Sequence, residues 1–211
     1  MNTTAVPPTN VPYDQRLARL LIRPLVNTPV HPNHLTTLSL LFGLAAALLF
    51  ALGGPDRSSL AAGIYMFAVF IDHTDGELAR LSGKTSPFGH RYDFVVGGLN
   101  YTMLFIGIGI GLSHGPMGVL ALLLGFAAGL SNPFILTLRM RMDARFGKQA
   151  VKHPYFSGFE IEDFIYLIGP ITWLLGVYCF FIPYGLGTLG YLAWTIYEYR
   201  KWSRIAAQQP V

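Results

Sequence analysis

Three aspartates stand where an otherwise apolar stretch gives them no ordinary place. Directly after the run Ile64 to Phe70 the chain reads Ile71-Asp72-His73-Thr74-Asp75-Gly76-Glu77-Leu78-Ala79-Arg80, and a third acid, Asp93, follows the polar turn Ser82 to Gly89. Asp72 and Asp75 are three residues apart and share one face of a helix. Charges inside an apolar helix cost a few kcal/mol at least, so they are normally compensated by an ion, a partner or a water-filled cavity. If the second and third apolar stretches form an antiparallel hairpin, Asp93 comes beside Asp72 and Asp75. An all-oxygen ligand set, with no cysteine or histidine cluster, favours a hard cation, Mg²⁺ first and Mn²⁺ second. The competing reading is a buried ion-pair network of the three acids with Arg80 and Arg91.

Neighbouring residues extend this chemistry towards a phosphate. Gly76 leaves the backbone open to close approach. Arg80, one turn on, is placed to pair with a diphosphate or with one of the acids, and Thr85 and Ser86 add hydroxyls in the turn. His90 lies near Asp93 as a candidate base, although an ordinary interfacial histidine reads as well. Glu160, Glu162 and Asp163 are further candidates, or simply the acidic start of a helix. Arg139, Arg141 and Arg145 read either as a topology signal or as an acceptor site.

The elements that must position these residues are long apolar blocks. Hydrophobic residues make up 52% of the 211 and charged ones only 12%, where soluble domains run near a quarter charged. Six blocks approach the length of a membrane-crossing helix: about 34–53, 59–79, 94–112, 117–138, 164–182 and 184–199. The predicted fold is therefore all-α, with six transmembrane helices. Gly53-Gly54-Pro55, Gly115-Pro116 and Pro183 with Gly185 read as the breaks between consecutive blocks. Residues 1–33 read as a cytoplasmic and interfacial segment, 34–202 as the membrane domain and 203–211 as a tail. Between Tyr13 and Leu25, Leu17, Leu20, Leu21 and Leu25 stand against Arg16, Arg19 and Arg23, a pattern for an amphipathic helix lying along the membrane. Fourteen of the fifteen lysines and arginines fall on one side of this arrangement, Arg57 being the exception. Both termini are thus expected in the cytoplasm. The net charge of +4 is too small to imply a nucleic-acid partner. The lone Cys179 reads as a buried packing residue of the fifth span.

Asp72, Asp75, Gly76, Ala79, Arg80, Gly89 and Asp93 resemble the motif of the CDP-alcohol phosphotransferase family: D-x-x-D-G-x-x-A-R, eight residues, G, three residues, D, three residues, D. Seven of the eight specified positions match in order and spacing. The segment Pro32-Asn33-His34-Leu35-Thr36 resembles the family's P-N-x-x-T element near the nucleotide. The resemblance implies that Asp72, Asp75 and Asp93 hold Mg²⁺, or Mn²⁺, and that Asn33, Thr36, Gly76, Ala79, Arg80, Thr85 and Gly89 surround the CDP moiety. It further implies CDP-diacylglycerol or another CDP-alcohol as donor, a small polar alcohol as acceptor, membrane lipids as surroundings, a homodimer, and a prokaryotic inner membrane as location. Gly97 occupies the position of the family's fourth aspartate, taken there to hold metal and act as base. Two alternatives follow: a transferase moving a CDP-linked head group to a lipid alcohol, or a relative that binds CDP-lipid without turning it over.

Overall fold

The computed structural model describes residues 13–147, 150 and 161–208, and the side chains within them except those of 13–17, 161–163 and 208. Its order is α1 (Tyr13–Ile22), a 3-10 turn (Arg23–Leu25), α2 (Pro32–Leu52), α3 (Pro55–Ser82), α4 (Pro87–Ser113), α5 (Val119–Phe146), a 3-10 segment (Ile161–Leu167), α6 (Ile168–Leu175) and α7 (Val177–Gln208). Among the described residues no strand occurs.

The helix starts follow from local chemistry. Pro32, Pro55 and Pro87 each open a helix, where a missing N–H costs nothing. His31 caps α2 by accepting from the Asn33 N–H at 3.2 Å, and His34 Nδ1 accepts reciprocally from the His31 N–H at 3.3 Å. Ser86 caps α4 by accepting from the Gly89 N–H at 2.9 Å. α3 ends at Gly83, whose φ of 68° is a left-handed cap.

Cross-helix contacts give the directions. α2 runs antiparallel to α3, with Thr36 on Asp75 at one end and Phe42 against Phe67 further along. α4 runs parallel to α2, since Asn100 meets Ser39 and Gly107 meets Ala47. α5 returns antiparallel to α4, where the Thr102 hydroxyl donates to the Gly129 carbonyl at 3.0 Å. The Ile161–Leu167 segment and α6 run antiparallel to α3: Tyr166 lies 3.3 Å from His73 and Trp173 Nε1 donates to the Ser59 carbonyl at 2.9 Å. α7 then runs parallel to α5, with Gly185 near Leu124 and Glu198 on Arg139.

The core lies where α2, α3, α4 and α7 meet, around Phe50, Tyr65, Leu104, Phe105, Ile108 and Phe181. The outward faces carry exposed Leu41, Leu48, Leu123, Phe126, Phe134 and Leu174, as expected where lipid is the solvent. Among the described residues four helices, α2, α4, α5 and α7, are long and apolar enough to cross a membrane by length and composition. α3 is as long as α5, but its acidic end keeps it out of that set. Such apolar helices fit an integral membrane protein. α1 buries Ala18 and Ile22 and leaves Leu20 and Leu21 exposed.

Two sequence expectations are corrected here. The break between the last two blocks does not fall at Pro183 and Gly185: Pro183 lies inside α7, and the turn is made at Gly176, whose φ of 88° suits glycine. Cys179 consequently belongs to α7 rather than to the preceding helix, and it is exposed on a cavity wall instead of buried.

Close approach of α2 and α4 depends on Gly107, where a Cβ would collide with the Ala47 carbonyl oxygen. Gly107→Ala is expected to destabilise the protein by about 1–3 kcal/mol. Gly63→Ala, which would meet only Trp173 at 3.6 Å, is expected to be neutral or to stabilise by up to about 1 kcal/mol. Thermal unfolding in detergent compares the two.

Candidate functional site

α3 supplies Asp72 and Asp75 from one face, and α4 brings Asp93 to them across the Gly83–Ser86 connection. One ligand oxygen from each lies within 4.8 Å of the other two. Asp75 is 3% exposed and accepts a hydrogen bond from the Thr36 hydroxyl, which also reaches the Pro32 carbonyl at 3.3 Å. Asp72 accepts from the Ser39 hydroxyl at 3.2 Å, and Ser39 in turn accepts from Asn100 Nδ2 at 3.1 Å. Hydroxyl donors orient these carboxylates and leave their charge in place. Among the described ion pairs none joins these acids to Arg80 or Arg91: Arg80 pairs with Glu77, and Arg91 Nε donates to the Pro87 carbonyl of its own helix at 3.3 Å. Three converging carboxylates of this kind suit a hard cation.

A cavity of about 810 Å³ opens beside the acids, between α4, α5, α6 and α7. Asp72 and Asp93 sit on its wall with His90, Gly97 and Tyr101. The α4 members of this set are spaced by three or four residues and so form one helix face. The remainder of the lining is largely apolar and aromatic, including Phe94, Phe164, Phe180, Tyr184 and Trp194. Among the described residues, a Cβ added at Gly97 would meet nothing within 4 Å.

The other sequence candidates fall into distinct surroundings. Asn33 Oδ1 lies close to Gly89, 3.1 Å from where a Cβ would stand, so these two positions come together. Arg80 lies over Gly76, its Nη1 3.5 Å from the place of a Cβ there. Ala79 is half-buried and Thr85 exposed in the connection after α3, while Ser86 serves as the α4 cap. His90 is exposed on the cavity wall. Arg139 is tied to Glu198 at 3.2 Å and lies over the Tyr191 ring, whereas Arg141 and Arg145 are exposed, so the three arginines do not gather. The side chains of Glu160, Glu162 and Asp163 lie outside those described.

Sequence reasoning missed four participants. Ser39 and Asn100 orient Asp72, Tyr92 meets the Thr37 hydroxyl at 3.0 Å, and Glu77 takes Arg80. Ser39 lies three residues after Thr36, and Asn100 seven after Asp93. Helical spacing therefore set both on the faces of residues already singled out.

A model of the CDP-alcohol phosphatidyltransferase family matches residues 29–197. An archaetidylinositol phosphate synthase of Pyrococcus horikoshii is 34% identical over 88 residues, which are 41% of this chain and 45% of that protein. The chain thus matches less than half the length of this relative. A crystal structure of Mycobacterium tuberculosis phosphatidylinositol phosphate synthase with CDP-DAG bound superposes with a TM-score of 0.65 and 17% identity. That superposition covers 92% of this chain and 96% of the other, and the likeness is one of fold.

Proposed function

The chain belongs to the CDP-alcohol phosphatidyltransferase family, and from that premise we propose that it transfers a phosphatidyl group from CDP-diacylglycerol to a small polar alcohol, releasing CMP. The observation that carries this reading is the convergence of Asp72, Asp75 and Asp93, two of which, Asp72 and Asp93, line the cavity.

A divalent cation, Mg²⁺ before Mn²⁺, would supply neutralisation of the charge on the donor's diphosphate. Asp72, Asp75 and Asp93 would hold that cation, and Ser39 and Thr36 fix the directions of two of the three carboxylates. Arg80 pairs with the diphosphate, Gly76 leaves room for it, and Asn33, Ala79, Thr85 and Gly89 border the nucleotide. The acceptor oxygen forms its bond to phosphorus as the bond from phosphorus to CMP breaks, and CMP leaves with the electron pair. The acceptor's proton passes to a base, and His90 on the cavity wall is placed to stand in, inefficiently, for the acid missing at position 97.

The same reading has six membrane passes, α2, α3, α4, α5, the Ile161–Leu175 stretch and α7, with α1 along the interface. Both termini and the acids then face the cytoplasm of a prokaryotic inner membrane, and the protein is a homodimer. Alternating helix directions and the placement of the basic residues support the six passes and the cytoplasmic side.

Incubating purified protein with Mg²⁺, CDP-diacylglycerol and a panel of alcohols tests the function; no CMP release with any acceptor would sink it. Replacing the donor by a soluble CDP-linked head group, with a lipid alcohol as acceptor, separates the two transferase types. One observation favours a second reading, a protein that binds CDP-lipid without turnover: Gly97 offers no acid at a cavity position with room for one. Because Asn100 steers Asp72 through Ser39, Asn100→Ala is expected to raise the Mg²⁺ concentration needed for half-maximal activity by about 10- to 100-fold. A Mg²⁺ titration of CMP release checks this.

A further inference from the structure

Glu77 lies between Gly76 and Ala79 and is one of the unspecified positions of the family's motif. It is nevertheless the most enclosed of the described charged side chains, 1% exposed, and it grips two guanidinium groups. Arg19 of α1 donates through Nε at 2.7 Å to Oε2, and Arg80 donates through Nη2 to Oε1. We infer that Glu77 is a positioning residue that holds the Arg80 guanidinium over Gly76 to receive the donor's phosphates, while Arg19 keeps Arg80's charge from being cancelled. The inference rests on the proposed use of CDP-diacylglycerol.

The direction of control follows from burial. A carboxylate taken out of water is tolerated only when firmly paired, and Glu77 is fully enclosed, whereas Arg80 is 56% exposed. The glutamate is thus the fixed partner and the arginine the one being fixed. A guanidinium carries five N–H donors, so the single bond to Glu77 leaves donors for an anion. Glu77 and Arg80 alone would sum to zero and offer a phosphate little attraction. With Arg19 on the other carboxylate oxygen the trio keeps one positive charge, at the glycine where the backbone is open and within electrostatic reach of Asp93.

The same geometry makes α1 part of the site without touching it. Arg19 lies 58 residues before Glu77 and bonds to the oxygen that Arg80 does not use. Arg19→Gln leaves Glu77 paired with Arg80, so the enclosed carboxylate keeps a partner and the fold is retained. What falls is the charge of the trio, by one unit.

The experiment measures CDP-diacylglycerol binding in detergent with saturating Mg²⁺, alongside the kinetics of CMP release and thermal unfolding. Glu77→Gln raises the trio's charge by one but releases the Arg80 guanidinium, and loss of its placement against the phosphates is expected to outweigh the charge and weaken binding by about 10-fold, the worth of one charge-assisted hydrogen bond. KM should rise in parallel and kcat change by less than about 3-fold, since the lost contact binds ground and transition states alike. Glu77→Asp is expected to recover part of the binding, and Arg19→Gln to weaken it by about 3-fold or more without lowering the unfolding temperature to the level of Glu77→Gln. If wild-type protein binds CDP-diacylglycerol and both Glu77→Gln and Arg19→Gln bind it equally well, the trio serves only to dock α1 and the inference is overturned. If wild-type protein itself binds none, the proposed donor is wrong, and this inference goes with it.

Discussion

Asp93→Asn is expected to lower CMP release by about 10²–10³-fold, the cost of removing one group that stabilises charge in a reacting centre. Asparagine keeps the shape of the side chain, so packing at the start of α4 is unchanged and the effect is electrostatic. Asp93 is the one acid contributed by α4, with Asp72 and Asp75 coming from α3, and without its charge no carboxylate from the second helix closes the cluster. A companion result separates this from simple damage. Without metal, three carboxylates within 4.8 Å of one another repel, so Asp93→Asn should unfold at a higher temperature than wild type in chelator. With saturating Mg²⁺ the difference should shrink or reverse, because wild type gains more from the ion. Such opposite movement of stability and activity is expected where a site keeps unfavourable charges for function. A variant with wild-type CMP release, or one destabilised equally with and without Mg²⁺, would falsify the assignment of Asp93 to a cation site.

The parts of this molecule that could be read in the sequence are those whose cause is local. Pro32, Pro55 and Pro87 begin helices because a proline ring fits the first turn, and Gly53, Gly54 and Gly83 end or separate them by adopting positive φ. The break between α6 and α7 was not legible because Pro183 looked like the stronger signal. A proline inside an apolar helix is tolerated where neighbouring groups compensate, and both Pro133 and Pro183 lie within helices here. Gly176, one glycine among the 23, carries no mark that sets it apart until its φ of 88° is seen.

At the site the same division holds. Asp72, Asp75 and Asp93 were visible because charge is out of place in an apolar run, and their spacing fixed the face. Their supports were not, since Ser39 meets Asp72 across 33 residues, Asn100 meets Ser39 across 61 and Arg19 meets Glu77 across 58. Helical periodicity gives each residue's face, whereas the pairing of faces depends on how α1, α2 and α4 settle around α3. Glu77 was hidden for a further reason: beside Arg80 in sequence it reads as an ordinary i, i+3 surface pair, and only burial shows it to be the enclosed member.

Gly97→Asp is expected to raise CMP release by about 10²-fold or more, within the 10²–10⁴ range of a positioned general base. Position 97 lies one turn beyond Asp93 on the α4 face that carries His90, Asp93 and Tyr101 to the cavity, and a Cβ there meets none of the described residues within 4 Å. The substitution therefore needs no repacking, and a helix interior favours aspartate slightly over glycine. Its cost is a fourth negative charge near three others, so the metal-free variant should unfold at a lower temperature than wild type while needing less Mg²⁺ for half-maximal rate. His90 supplies the counter-test, because a histidine already removing the acceptor's proton leaves little for a new carboxylate to do. In that case Gly97→Asp gives no gain over a robust wild-type rate, and His90→Gln alone lowers that rate by about 10²-fold or more. A gain at position 97 together with indifference to His90→Gln means that the natural chain holds its donor beside an incomplete set of groups. The reverse pair of results means that proton removal has moved two turns towards the start of α4, from the position of the absent acid to the imidazole on the same face.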